Sequence, residues 1–206
     1  MQITPSGQEP IVQPRINADL IDGKANLLGL SREELKDALA DFGVPDKQLK
    51  MRTTQLWHWI YHRGASDFDV MTTVSKDMRA KLAEKFIIAR PEVVEAQYSE
   101  DGTRKYLIRF ADGNEAETVY IPEEDRGTLC VSSQVGCSLS CKFCATGFLP
   151  RKRNVDFDEI VDEVVLANEQ ALQHYGRGLT NIVFMGMGEP LLNYNNVIKA
   201  VDMISS

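Results

Sequence analysis

Residues 128–144, TLCVSSQVGCSLSCKFC, decide the fold of this 206-residue chain. The stretch opens with a β-type run and closes with the spacing Cys-x3-Cys-x2-Cys at Cys137, Cys141 and Cys144. The chain has four cysteines, and the remaining one, Cys130, lies seven residues before the motif. Thiols this close in sequence cannot staple distant segments, and a secreted disulfide scaffold would spread its cysteines more widely. The cluster therefore favours a metal or catalytic role over disulfides.

The spacing of the three motif cysteines favours an iron–sulfur cluster over zinc. Thiolates are the usual ligands of such clusters, and three of them on a [4Fe-4S] cubane leave one iron open for a substrate or cofactor. Structural zinc normally requires four protein ligands. No histidine lies near the loop, and Cys130 stands at a distance that is not a familiar zinc-finger spacing. Zinc nevertheless remains the main alternative on the residues alone.

The segments around the cysteine loop alternate between strand and helix. Strands are predicted over 128–133 and 181–185, and helices over 156–175 and from Asn193 onward. A strand–helix–strand–helix series predicts a parallel sheet. Two parallel strands are too few for such a sheet, which needs cover on both faces. We therefore expect 126–206 to be the start of an incomplete α/β barrel, and the chain to be a fragment.

Before the cysteine region the sequence predicts an α+β part that begins with a small helical module over residues 25–90. Its first helix starts at Ser31, which forms a capping-box pattern with Glu34, and it ends at Gly43. Two further helices are predicted over residues 47–63 and 75–86. Short connections between three amphipathic helices indicate one packed unit.

An antiparallel β meander is predicted over residues 91–125. Three β-type runs are separated by Asp-Gly pairs at 101–102 and 112–113, which is the composition of tight hairpin turns. At the other end of the chain, residues 1–24 are polar and interrupted by prolines. We expect this N-terminal segment to be a disordered or loosely attached arm.

Composition and charge restrict the class of protein. The chain is 43% hydrophobic and 26% charged, which is typical of a soluble globular protein. The N-terminus lacks a signal-peptide pattern and no apolar run approaches a membrane span, so we expect a cytoplasmic protein with no membrane partner. The net charge is −7, yet 47–63 and 126–155 carry cations and no carboxylate. Local fields attract polyanions, so both nucleic-acid contact and an ordinary solvated surface stay open.

Four strings carry a resemblance to a known family. The loop 137–144, with an aromatic residue before its last cysteine, resembles the radical S-adenosylmethionine (SAM) superfamily. The strings VYIP (119–122), CVSSQVGC (130–137) and GMGEP (186–190) look like the dual-specificity ribosomal and transfer RNA adenine-C2 methyltransferases, and the likeness covers nearly the whole chain. A related resistance group methylates the same 23S rRNA adenine at C8. Pro190 and the helical module favour the C2 group.

The resemblance implies two cofactors and the residues that hold them. A [4Fe-4S] cluster would be ligated by Cys137, Cys141 and Cys144, with SAM on its open iron. Contacts to SAM are implied for a second group of residues, namely Gly186, Gly188 and Glu189. On the residues alone, a glycine pair is more often a simple turn, although glycine does permit close approach of a ligand to the backbone.

The resemblance also implies catalytic roles. In this family a methyl group is first placed on a cysteine near the C-terminus, a radical derived from a second SAM removes hydrogen from it, and the methylene radical adds to adenine C2. Cys130 matches the second cysteine, which removes the C2 proton, as a thiolate accessible near neutral pH. Glu117 matches a proposed proton acceptor. Alternatively, Cys130 is a small buried hydrophobe and Glu117 faces solvent. No cysteine follows Cys144, so we expect this chain to be inactive alone.

The implied partners are 23S rRNA, tRNA and an electron donor such as flavodoxin or ferredoxin. The helical module is interpreted as an RNA-docking unit, and the run 151–153 as a contact for phosphates. His58 and His62 have a metal-compatible spacing but no visible third ligand, so packing or RNA contact is favoured. The rival hypotheses are a radical SAM enzyme with a non-RNA substrate, a single-cluster electron carrier, and a fragment that only holds a cluster and binds RNA weakly.

Overall fold

The computed structural model describes residues 20–21 and 23–205. Most of the N-terminal segment for which we predicted a loose arm, residues 1–24, therefore lies outside the described residues. Its last part is ordered, because β1 (Leu20–Ile21) pairs antiparallel with β2 (Lys24–Asn26). The strand β2 also pairs in parallel with β3 (Phe86–Ile87), which closes a small three-stranded sheet beneath the helices.

Three helices form the predicted helical module: α1 (Arg32–Asp41), α2 (Asp46–Trp57) and α3 (Lys76–Lys85). The capping box of α1 is confirmed, because the Ser31 hydroxyl accepts the Glu34 N–H at 3.2 Å and the Glu34 carboxylate accepts the Ser31 N–H at 2.7 Å. The helices enclose one apolar core, whose fully buried members include Leu27, Leu35, Leu39, Leu56, Ile60, Met71 and Leu82.

The end of α2 differs from the regular helix that was predicted to run to residue 63. After Trp57 the chain continues as one π-helical turn, His58–His62, in which the Arg63 N–H donates to the His58 carbonyl at 3.0 Å. The helical extent was predicted correctly, whereas the wider winding leaves no mark in the apolar pattern. A short 3-10 turn, Phe68–Val70, then leads toward α3.

One five-stranded sheet joins the meander to the parallel pair. Its strands are β4 (Glu92–Tyr98), β5 (Arg104–Arg109), β6 (Glu115–Pro122), β7 (Gly127–Cys130) and β10 (Asn181–Val183), in the spatial order β10-β7-β6-β5-β4. All neighbours are antiparallel except β7 and β10. The predicted hairpin turns are present, with Gly102 at φ +86° and Gly113 at φ +79°.

This sheet gives the predicted parallel pair of strands the additional neighbours that it needs. Two parallel strands alone would be unstable, but β7 pairs with β6 through residues 119–122 and 127–130, so the meander supplies the missing neighbours. The boundary expected at residue 125 therefore falls between two hydrogen-bonded strands. The fold is mixed α/β, with the parallel pair at one edge of a largely antiparallel sheet.

Two helices and a minor hairpin complete the second core. The helix α4 (Phe157–Tyr175) covers one face of the sheet, and α5 (Tyr194–Ile204) follows a 3-10 turn, Pro190–Asn193. The short strands β8 (Gln134–Val135) and β9 (Arg153–Asn154) pair antiparallel. The buried aromatic and aliphatic residues between α4 and the sheet include Tyr106, Ile108, Tyr120, Leu129, Val131 and Ile160.

A buried ion pair connects the helical module to α4. The Arg90 guanidinium donates to the Asp162 carboxylate at 2.5 Å, and the two side chains are only 6% and 1% exposed. The same guanidinium donates to the carbonyl of Ile60 in the π-helical turn. One side chain therefore ties the π-helical turn, the start of the sheet and α4 together.

Candidate active site on the open face of the sheet

The structure brings Glu117 and Cys130 to the same face of the sheet. Residues of β6 alternate, and Thr118 points toward α4, where its hydroxyl donates to the Glu163 carboxylate. Its neighbours Glu117 and Val119 therefore point to the opposite face. Cys130 is the direct cross-strand partner of Val119. Glu117 and Cys130 are thus diagonal neighbours on the open face, a separation of roughly 7–8 Å between such positions.

A lysine that the sequence analysis did not single out lies beside Glu117. Lys105 on β5 is the cross-strand partner of Val119, and its ammonium donates to the Glu117 carboxylate at 2.9 Å. The side chains are 37% and 44% exposed, so solvent weakens the attraction and the pair contributes at most about 1 kcal/mol to stability. Its effect is to orient the carboxylate along the open face.

Cys130 is half-buried at the end of β7. Burial raises the pKa of the Cys130 thiol, because the charged thiolate is the form that desolvation disfavours. This effect disfavours the thiolate that was expected near neutral pH, and the catalytic role of Cys130 stays a prediction. A role in proton removal requires that a bound substrate or an additional charged group lower this pKa.

The cysteine loop is held at both ends by backbone pairing. β8 and β9 flank the loop with the partners Gln134–Asn154 and Val135–Arg153, and Cys137 forms a bridge with Pro150. Gly136 occupies φ +75°, and a Cβ there would lie 2.3 Å from the Pro150 carbonyl oxygen. Only glycine fits this position, so the entry to the loop is fixed by steric constraint.

The three loop thiols fit an iron–sulfur cluster by their chemistry. Cys137, Cys141 and Cys144 are all partly exposed and unpaired. Backbone N–H groups of Gly147 and Thr146 lower the pKa of the Cys144 thiol. The Leu139 N–H similarly donates to the Cys137 sulfur at 3.4 Å. Hydrogen bonds to sulfur stabilise the thiolate form that ligates iron.

The positions of the three loop thiols, unlike their chemistry, do not yet suit a shared metal site. Among residues 20–21 and 23–205, no three His, Cys, Asp or Glu side chains are grouped closely enough to hold a metal ion. The loop must therefore draw its sulfurs together to ligate a cluster. Exposed thiols on a short loop that is anchored at both ends permit such an adjustment.

The glycine-rich turn after β10 packs against the chain itself. A Cβ on Gly186 would lie 2.7 Å from the Val131 carbonyl oxygen, and Gly188, at φ +94°, would place one 2.4 Å from the Gln134 Cβ. The Met187 carbonyl accepts the Ser133 N–H at 2.9 Å. These glycines are thus required for docking the turn onto residues 131–134. Their contact with SAM stays a prediction.

Glu189 has a local structural role in this turn. Its carboxylate accepts the Leu191 N–H at 3.1 Å and so caps the short 3-10 helix that follows. Its own N–H donates to the Gln134 side chain, also at 3.1 Å. The residue therefore joins the glycine turn to the segment that enters the cysteine loop, and a contact with SAM stays a prediction here as well.

Two family models match the chain. The model described as "Ribosomal RNA large subunit methyltransferase N-terminal domain" matches residues 25–88, and the model of the radical SAM superfamily matches residues 131–205. The first covers the helical module, and the second covers the cysteine loop and the glycine turn. The chain is therefore similar to a ribosomal RNA methyltransferase over its helical module and to the radical SAM superfamily over residues 131–205.

Curated relatives and a solved structure agree with this assignment. Proteins named "Dual-specificity RNA methyltransferase RlmN" are 53% identical in Rhizorhabdus wittichii, over 97% of this chain and 51% of the relative, and 52% identical in Agrobacterium fabrum, over 90% and 50%. The crystal structure of a radical SAM methyltransferase from Sphaerobacter thermophilus matches at a TM-score of 0.79 and 42% identity, covering 88% of this chain and 52% of that one. The chain spans about half the length of the relatives it matches.

The basic run 151–153 is only partly available for phosphates. Arg153 is engaged internally, because its guanidinium donates to Asp112 at 2.5 Å and to Glu159 at 2.7 Å. The hydrogen bond from Arg153 lowers the pKa of Asp112. Two carboxylates thus offset the charge of Arg153 within the fold, and its contact with phosphate stays a prediction. Lys152 remains exposed.

The two histidines lie on the surface of the π-helical turn. The rings of His58 and His62 stack with centroids 5.3 Å apart, and Arg63 donates to His58 at 3.2 Å while its guanidinium lies 4.6 Å from the Trp59 ring centroid. Within the part of the chain that the structure describes, these histidines belong to no group able to hold a metal. Stacked rings beside a cation on an exposed surface are compatible with the predicted RNA contact.

Large apolar side chains are exposed within the cysteine loop and next to the glycine turn, and we call them the apolar rim. Its exposed members are Phe143 (93%), Phe148 (80%), Met185 (79%) and Leu191 (74%). Of these, only Phe143 was noted in the sequence, because exposure cannot be read from residue type. Clustered exposed apolar side chains are typical of a ligand groove or an interface. No helix among the described residues is long and apolar enough to cross a membrane.

Proposed function

We propose that this chain is part of a radical SAM RNA methyltransferase that transfers a methyl group to C2 of an adenine in 23S rRNA and in tRNA. The observation that carries the proposal is the placement of Cys130 and Glu117 on one open face of the sheet, at the end of β7 from which the chain continues into the cysteine loop. The names of the relatives support the substrate class.

C2 of adenine is an amidine carbon and is not nucleophilic, so it cannot accept a methyl group from SAM by ordinary nucleophilic attack. Cys137, Cys141 and Cys144 would hold a cluster, which together with SAM would supply the one-electron chemistry that this position requires. The apolar rim, which includes Phe143 and Phe148, excludes water from the reacting groups when substrate covers it.

The chain's own residues supply binding and proton transfer. Cys130 is the group proposed to take the C2 proton, and its half-buried position keeps the thiol neutral until the substrate arrives. Glu117 lies diagonally across from it and is proposed to accept a proton or to hydrogen-bond the purine edge. Lys105 orients the Glu117 carboxylate through their 2.9 Å ion pair. Gly186, Gly188 and Glu189 are proposed to form the turn that contacts SAM.

The helical module, residues 25–90, is proposed to dock RNA. Lys47 and Lys50 are exposed on α2, and His58, His62 and Arg63 continue the same exposed surface. Cations there would contact phosphates, while exposed rings would stack on unpaired bases. An electron donor such as flavodoxin or ferredoxin is proposed as a second partner, and the cytoplasm is proposed as the location because the proposed substrates are RNA.

The test is the RNA of cells that lack their own enzyme and express the full-length protein. Nucleosides from digested ribosomal and transfer RNA are measured by mass spectrometry, and 2-methyladenosine is expected in both pools. Cys137→Ala should abolish the product, whereas Ser138→Ala, one residue away and not a ligand, should not. A C8-methylated product would move the protein to the resistance group. No methylated adenine from cluster-loaded protein would refute the RNA proposal.

A further inference from the structure

A buried carboxyl group lies behind the candidate site, on the opposite side of the sheet. Glu163 on α4 is fully buried, and one of its carboxylate oxygens, Oε2, accepts two hydrogen bonds. The donors are the Thr118 hydroxyl and the Ser132 N–H, the latter at 2.9 Å. Burying a carboxyl group costs several kcal/mol unless it is well hydrogen-bonded, so its presence in the core needs an explanation.

Ser132 extends this contact to two further segments. Its hydroxyl donates to the Glu117 carbonyl at 2.6 Å and accepts the Met187 N–H at 2.9 Å. Glu163, Thr118, Ser132 and Met187 therefore form one continuous buried network, which we call the alignment network. It joins α4, β6, the end of β7 and the glycine turn.

Three of the four members of the alignment network are close in sequence to a candidate site residue. Thr118 follows Glu117, Ser132 comes two residues after Cys130, and Met187 lies between the two glycines of the turn. The network thus fixes the relative positions of three segments that must act together, and it does so from behind the sheet, without touching the substrate. Buried networks whose members are mutually hydrogen-bonded favour one arrangement over alternatives.

We propose that Glu163 is a positioning residue that aligns Glu117, Cys130 and the glycine turn through its hydrogen bonds to Ser132 and Thr118. The effect of Glu163 on catalysis rests on the proposed function, whereas its role in holding the three segments rests on the hydrogen-bond geometry. Glu163 is not a catalytic residue, because the sheet separates it from the open face.

The required feature of Glu163 is a hydrogen-bond acceptor rather than a charge. Burial raises the pKa of Glu163 to about 8, against the opposite effects of the Thr118 and Ser132 hydrogen bonds. Its second oxygen, Oε1, has no hydrogen-bond partner in the described part of the chain. A neutral carboxyl group is therefore favoured at neutral pH. A glutamine keeps one acceptor oxygen in the same place, so we expect it to preserve the hydrogen bonds from Thr118 and Ser132.

The test compares Glu163→Leu with Glu163→Gln in the full-length, cluster-reconstituted protein. Hydrogen–deuterium exchange is measured for the peptides that cover 131–134 and 186–188, together with kcat and KM for RNA. Because Glu163→Leu leaves the Ser132 N–H without its acceptor, exchange in both peptides should rise about tenfold or more, the change expected for one lost buried hydrogen bond. In the same variant kcat should fall about tenfold with an unchanged KM for RNA. Glu163→Gln should restore both values to within about twofold.

Val161→Ala is the matched control, because it removes buried volume from the same helix without touching the alignment network. It should lower the melting temperature while leaving exchange at 131–134 and 186–188 unchanged. If Glu163→Leu does not fold, Ser132→Ala takes its place. This change keeps the hydrogen bond from the backbone N–H of residue 132 to Glu163 and removes the hydroxyl group that accepts the Met187 N–H. Hydrogen–deuterium exchange should therefore rise at 186–188.

Unchanged exchange at 186–188 in a folded Glu163→Leu or Ser132→Ala variant would overturn the inference. Failure of Glu163→Gln to rescue kcat would do the same, because an acceptor would then not be the required feature. A wild-type protein that methylates no RNA would instead refute the proposed function. The exchange pattern would still decide whether the alignment network holds the three segments.

Discussion

Removing one partner of the Arg90–Asp162 ion pair should destabilise the protein strongly. Both side chains are buried, at 6% and 1% exposure, and their closest atoms are 2.5 Å apart. Arg90→Met leaves Asp162 as a buried carboxylate with no cation beside it and removes the hydrogen bond to the Ile60 carbonyl. Breaking a buried pair in this way costs about 3–5 kcal/mol. For about 200 residues each kcal/mol lowers the melting temperature by about 2–4 °C, which predicts a fall of about 6–20 °C.

A second variant distinguishes the ion pair from simple loss of packing. Arg90→Met combined with Asp162→Leu removes both charges and keeps the volume, so most of the lost stability should return. The control is Arg109→Met, which breaks the exposed pair with Glu115 and should cost less than about 1 kcal/mol. Differential scanning calorimetry provides the melting temperatures. An Arg90→Met variant that melts within 2 °C of Arg109→Met, about the effect of 1 kcal/mol, would refute the argument that this pair ties the helical module to α4.

Three further predictions follow from single positions. Gly136→Ala should lower the free energy of unfolding by about 2 kcal/mol or more and bind less iron on reconstitution, because its Cβ would lie 2.3 Å from the Pro150 carbonyl oxygen. The control Gly113→Ala, whose Cβ would have no atom within 4 Å, should lose only about 1 kcal/mol for its positive φ. The pKa of Glu163 is raised in the folded state, so its contribution to stability is full below the unfolded pKa of about 4.3 and is lost as pH rises toward about 8. The free energy of unfolding of Glu163→Gln, measured with urea, should therefore depend less on pH across this window than that of the wild type. An equal pH dependence of the two proteins would contradict the assignment. In the full-length protein, Cys130→Ala should leave unresolved the adduct formed when the methylene radical adds to adenine C2, seen as protein that retains nucleotide on a denaturing gel. A freely released methylated product would exclude Cys130 as the base.

The parts of the fold that local rules specify were predictable from the sequence. Ser31 with Glu34 marks the start of α1 at the observed residue, and glycines 102 and 113 lie in the predicted turns at positive φ. Each of these signals depends on residues a few positions apart. The pairing of β6 with β7 does not, because it joins strands on the two sides of a predicted domain boundary. The meander was therefore placed in a separate unit, although it completes the sheet.

The candidate site shows the same division between local and long-range information. The cysteine loop was found from spacing, and the shared face of Glu117 and Cys130 could be found only once the register of Val119 with Cys130 was known. Lys105 is one of many surface cations until its strand is paired. Nothing in the pattern of α4 marks Glu163, since a glutamate in an amphipathic helix is ordinarily exposed.

The dependence of the site on long-range contacts has a physical consequence for its chemistry. Glu117 and Cys130 lie on consecutive strands joined by the turn at 123–126, and the glycine turn lies more than fifty residues further on. Their alignment therefore relies on the sheet register and on the hydrogen bonds of Ser132 more than on local backbone preference. Because a one-residue slip of β7 would turn Cys130 to the other face, any substitution that loosens the β6–β7 register should impair proton transfer before it unfolds the protein. The buried network behind the sheet, rather than the exposed Lys105–Glu117 pair, is the feature able to resist that slip, since its donors and acceptors would be left unsatisfied without water to replace them.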